Sequence, residues 1–172
     1  MRSARRSKVK GQSGLALLAL AALAACAEHS RPSQVEPPAV RPDGIVAYLV
    51  AAPAGAPNEY IVRAVTRHGI AVEGAASFVA AVRIPARTVA FISDASDAQV
   101  VRASSMSDET FRIAGAAPEG MSSGELFTLR LRAARAEDVN ALRLELTEIN
   151  DRSGASLKGG LVVLPYVTWG PR

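Results

Sequence analysis

Through the middle of the chain apolar and polar residues take turns. Phe78, Ala80, Val82 and Ile84 alternate with Val79, Ala81 and Arg83; Phe127, Leu129 and Leu131 with Thr128, Arg130 and Arg132; Leu142, Leu144 and Leu146 with Arg143, Glu145 and Thr147. A repeat of two puts the apolar set on one face of a sheet and the charges on the other, whereas a helical stripe recurs at three and four. These segments are predicted as half-buried strands. Similar short apolar segments run over residues 45–50, 60–66, 88–92, 100–103, 110–114 and 161–164. Between them lie residues 53–58, 94–97, 118–124 and 151–154, rich in the Gly, Pro, Asn, Asp and Ser that turns use.

Nine short strands at this spacing predict an all-β fold, a jelly-roll-like antiparallel β-sandwich. Residues 133–140 could hold one helical turn, although residues 132–135 give it no apolar face. The stretch 44–172 is large enough for one core and small for two, so it is read as one domain.

Upstream of residue 44 the pattern is different. Residues 1–10 carry Arg2, Arg5, Arg6, Lys8 and Lys10, and no acid precedes Glu28; then residues 15–25 contain only Leu and Ala. A helix needs about 20 apolar residues to cross a bilayer, so this run is too short for a permanent span. A basic start, a short apolar centre and small residues at its end form the pattern of a secretory signal, expected over residues 1–25. The location of these cations changes the meaning of the formal charge of +4. Of 20 basic residues five lie in the leader, leaving 15 against 16 acidic ones, so the remainder is nearly neutral and offers no track for nucleic acid.

The leader ends in Leu23-Ala24-Ala25-Cys26, which resembles the lipobox of bacterial lipoproteins. That resemblance implies cleavage before Cys26 and its lipidation, with further acylation of the new amino group; two or more acyl chains anchor stably where one holds marginally. Cys26 is the chain's single cysteine, a residue that otherwise has no partner in an oxidising compartment. Ala27, in place of Asp, implies the outer membrane, facing the periplasm or the cell surface. Residues 26–43 follow as a lipid-anchored tether: Pro32, Pro37, Pro38 and Pro42 stand among polar residues, with too little apolar surface to offset ordering. His29 falls inside it as a solvated residue.

Residues 111–132, Phe-Arg-Ile-Ala-Gly-Ala-Ala-Pro-Glu-Gly-Met-Ser-Ser-Gly-Glu-Leu-Phe-Thr-Leu-Arg-Leu-Arg, followed by Leu142-Arg-Leu-Glu-Leu-Thr-Glu-Ile-Asn-Asp151 and Gly154, are similar to the second half of cohesin domains. Upstream, Pro85 matches a turn that in the family usually reads Tyr-Asp-Pro, with Ile84 at the Asp position. The resemblance spans roughly Phe78 to Gly154. It implies a nine-stranded sandwich related in architecture to carbohydrate-binding modules, and a role in docking a protein partner through a sheet face or in attachment to polysaccharide. No individual contact residue carries over, and fold alone does not fix function.

The inventory for chemistry is short. Beyond the tether the single histidine is His68, read as a surface turn residue; there is no Gly-x-Ser-x-Gly elbow and no phosphate loop. The acid pairs Asp94 with Asp97, Asp108 with Glu109, and Glu137 with Asp138 sit at turns or strand ends. Glu148, Asn150 and Asp151 could offer hard oxygens to calcium but lack an EF-hand ligand series, so no metal, cofactor or catalytic residue is assigned. For sugar stacking, Phe78, Phe91, Phe111 and Phe127 fall on core phases, leaving Tyr48, Tyr60, Tyr166 and Trp169; the last two are read as part of a final strand rather than an exposed tail. Arg130, Arg132 and Arg143, tempered by Glu145, are expected to form a small basic patch on neighbouring strands. The resulting expectation is a non-enzymatic, membrane-anchored module that binds a protein partner. The alternatives are a carbohydrate-binding module in polysaccharide or cell-wall handling and a structural subunit of an envelope complex.

Overall fold

The computed structural model describes residues 39–95, 100–121 and 124–170. The leader, Cys26 and the tether as far as residue 38 lie outside the described residues.

All nine segments form strands: β1 (Ile45–Pro53), β2 (Glu59–His68), β3 (Ser77–Arg83), β4 (Val89–Ala95), β5 (Val101–Ser107), β6 (Thr110–Ala116), β7 (Glu125–Ala133), β8 (Arg143–Asn150) and β9 (Leu161–Trp169). They make two sheets, one ordered β4-β7-β2-β1-β9 and the other β5-β6-β3-β8. Pairing is antiparallel except between β1 and β9, which run parallel and bring the last strand against the first. The single helical turn, α1 (Ala136–Val139), falls inside the segment expected to hold one. Its apolar contact comes from fully buried Val139, downstream of the arginines.

The inward phase of each strand fills the space between the sheets. Val62, Ala64, Val82, Phe127, Leu129 and Leu131 are at 0% exposure or within 2% of it. The four phenylalanines run across the core: Phe78 stacks on Phe127 with ring centres 5.9 Å apart, Phe111 lies 6.0 Å from Phe127, and Phe91 stacks 5.3 Å from Phe111. They link β4 and β7 of one sheet to β3 and β6 of the other, each pair contributing about 0.5–1.5 kcal/mol beyond area burial. Gly115 makes room for this column. A Cβ there would sit 2.5 Å from the Phe78 ring, closer than packed carbons approach.

A smaller apolar cluster covers the outer phase of β1 and β9, where Val46, Tyr48 and Leu164 are buried among Val40, Val50, Val65 and Tyr166. Val40 belongs to the stretch read as tether. So do Arg41 and Pro42, whose carbonyls accept from Gly44 and Ala71 at 3.0 and 2.9 Å. Gly69 lies directly beneath this crossing, where a Cβ would collide with the Arg41 and Pro42 carbonyl oxygens, which accounts for the glycine after His68.

Candidate functional site

The outer face of the four-stranded sheet presents an open groove of about 950 Å³. Register explains its floor. Val79 of β3 pairs with Ala114 of β6, Ala81 with Arg112, and Ala114 in turn with Ala103 of β5. Small side chains at 79, 81, 103 and 114 leave the middle of the sheet low, with Ser105 and Thr147 beside them. Charges gather towards one end, where Arg83 stands opposite Arg143, with Arg112, Asp108, Glu109 and Glu145 nearby. Like charges directly across a strand pair are destabilising. Arg143 turns back to the carbonyls of Asn140 and Leu142, both at 2.7 Å. Neither Arg83 nor Arg112 takes part in any of the four ion pairs found among the described residues.

The expected basic patch is not assembled. Arg130 and Arg132 lie on β7 in the five-stranded sheet, whereas Arg143 and Glu145 lie on β8 in the other. Because α1 carries the chain across the sandwich, β7 and β8, though consecutive in sequence, belong to different sheets. The two β7 arginines instead clamp Glu59 of β2: Arg130 Nε donates to Oε2 at 2.9 Å and Arg132 Nη2 to Oε1 at 2.8 Å. These hydrogen bonds, that from Arg132 foremost, hold the Glu59 carboxyl below its ordinary value despite the opposing effect of burial.

Of the residues considered for calcium, Asp151 and Asn150 have structural partners. Asp151 Oδ1 accepts from the backbone N–H groups of Ser153 and Ala155 at 2.8 and 2.9 Å and from the Ser153 hydroxyl at 2.7 Å, which lowers its carboxyl pKa. It thereby closes the turn that needs Gly154 at φ 82°. Asn150 Nδ2 donates to Ser77 Oγ at 3.2 Å. Among the described residues no three His, Cys, Asp or Glu side chains gather as a metal site. His68, exposed at the end of β2, lines a small polar cleft of about 370 Å³ with Glu73 and Arg152, its Nδ1 3.4 Å from the Gly69 carbonyl oxygen.

The aromatic residues weighed for sugar stacking are packed. Tyr48 is 7% exposed and Tyr166 joins the outer cluster around it. Trp169 ends β9, meets Tyr60 edge-on at 5.9 Å and donates from Nε1 to Asn140 Oδ1 at 2.9 Å. The final-strand reading is therefore the correct one, and these rings form no row on the groove.

No model of a protein family matches the chain, and no curated protein does. Solved structures do. A non-cellulosomal cohesin from the archaeon Archaeoglobus fulgidus aligns over 74% of this chain and 91% of its own, with a TM-score of 0.52 at 18% identity. A chain of a type I cohesin–dockerin complex from Clostridium thermocellum aligns over 74% and 99%, at 0.51 and 15%. A second such complex from the same organism aligns over 83% and 100%, at 0.52 and 9%. With two sheets, nine strands and these neighbours, the described part of the chain is a cohesin-like β-sandwich.

Proposed function

We propose that this protein is a non-enzymatic docking module, held to the outer membrane through lipidated Cys26, that receives a protein partner on the outer face of the β5-β6-β3-β8 sheet. The groove carries this reading: a wide, shallow floor of Ala and Val suits a protein surface, whereas small-molecule sites are enclosed clefts that bury most of their ligand. The cohesin-like fold supports it, since two of the similar structures are cohesin–dockerin complexes. The unpaired Arg83 and Arg112, with Arg143 across from Arg83, fit a partner that brings carboxylates to that end of the groove.

The test compares two variants of the full-length protein in affinity capture from envelope extracts. Ala114→Arg fills the floor and should weaken capture of the wild-type partner about tenfold or more, equivalent to about 1.4 kcal/mol. Arg63→Ala, on the other sheet, should leave capture unchanged. Equal loss in both variants, or in neither, rejects this face as the docking site.

A further inference from the structure

A two-sheet sandwich has four edge strands, here β4, β9, β5 and β8. An edge offers unpaired N–H and C=O groups to any other strand, and proteins ordinarily blunt it with bulges, prolines or charges. Three of the four edges are treated in this way. In β4 the register with β7 slips at Ile92. In β8 it slips at Thr147, between charged Glu145 and Glu148. In β9 it slips against β1 around Pro165. The remaining edge, β5, pairs with β6 at all seven positions from Val101 to Ser107 without interruption.

β5 is also open on both sides. Each of its residues is exposed, with Val101 at 76% and Met106 at 41%. It contains no proline and one charge, Arg102, whose guanidinium is tied to Asp94 of β4 together with the Ser104 hydroxyl. With its one charge turned inward to Asp94, the strand lacks the register slip that interrupts each of its three counterparts.

Its sequence is complementary to itself. In a full antiparallel overlap about Ser104, Ala103 faces Ser105 of a second copy, Arg102 faces Met106, and Val101 faces Ser107. Small residues meet small ones, the Met106 side chain can lie along the Arg102 stem, and no like charges are opposed. Each paired position has the same phase, so outer faces join outer faces.

We propose that β5 is the joint of a symmetric homodimer, in which two copies pair this strand about a two-fold axis through Ser104 and fuse their four-stranded sheets into one. The inference rests on the edge and is independent of what occupies the groove.

Sedimentation of the full-length protein in mild detergent tests it. The wild type should sediment as a dimer. Ala103→Lys combined with Ser105→Lys sets lysine against lysine on both sides of the axis and should give a monomer with unchanged circular dichroism, whose melting no longer depends on protein concentration. Mixing that protein with an Ala103→Glu, Ser105→Glu counterpart should restore the dimer. As a second measurement, Ser104→Cys in a Cys26→Ala background should yield a self-linked dimer with a short thiol cross-linker. A monomeric wild type, a lysine variant that still dimerises, failure of the charge-swapped mixture, or cross-links from position 104 to another protein and never to itself would each overturn the proposal.

Discussion

Two carboxylates show how single residues hold this sandwich. Glu59 lies between Arg130 and Arg132, and Asp151 gathers the donors of its own turn. Both are held below their ordinary values of 4.5 and 3.8. A carboxyl whose pKa is depressed by folding adds stability that is present above the ordinary value and is lost as pH falls through the folded-state one. Denaturation midpoints should therefore decline on acidification below about pH 4.5. In a Glu59→Gln, Asp151→Asn double variant the midpoint should start lower at neutral pH and fall less steeply, measured by urea titration across the acid range. An unchanged acid slope would show that these groups do not carry the linkage.

At the scale of elements, legibility followed burial. β3, β7 and β8 could be read from sequence because one face meets the core and the other meets water. β5 was recognised only as far as Ala103, since Ser104–Ser107 bury nothing and owe their extended form to β6. Pro165 hid the second half of β9, where a proline is tolerated because the strand lies at the sheet margin. The groove was not legible: its Ala and Val floor comes from strands far apart in sequence, and alternation does not reveal which sheet a strand joins. The same gap produced the mistaken grouping of Arg143 with Arg130 and Arg132. β9 now yields a prediction of its own. Trp169→Ala removes the contact with Tyr60 and the hydrogen bond to Asn140, and should cost about 2 kcal/mol, below the 3–5 of a fully buried tryptophan. Hydrogen exchange should show the loss concentrated in β9, and uniform loss across β3 and β6 would contradict a local latch.

For the whole molecule, the proposed anchor and docking face divide the labour between a lipid and a sheet. Cys26→Ala should move the protein from membranes to the soluble fraction and abolish palmitate labelling, while Ala114→Arg should leave both unchanged. Retention of Cys26→Ala on membranes, with no lipid label on the wild type, would refute the anchor. The parallel pairing of β1 with β9 bears on how such a module withstands load. Ile45 at the start of β1 and Trp169 at the end of β9 stand at opposite ends of one strand pair, joined through six registered positions. Tension applied between those ends pulls the two strands lengthwise past each other, so the bonds between them must give way together and cannot be unzipped one at a time.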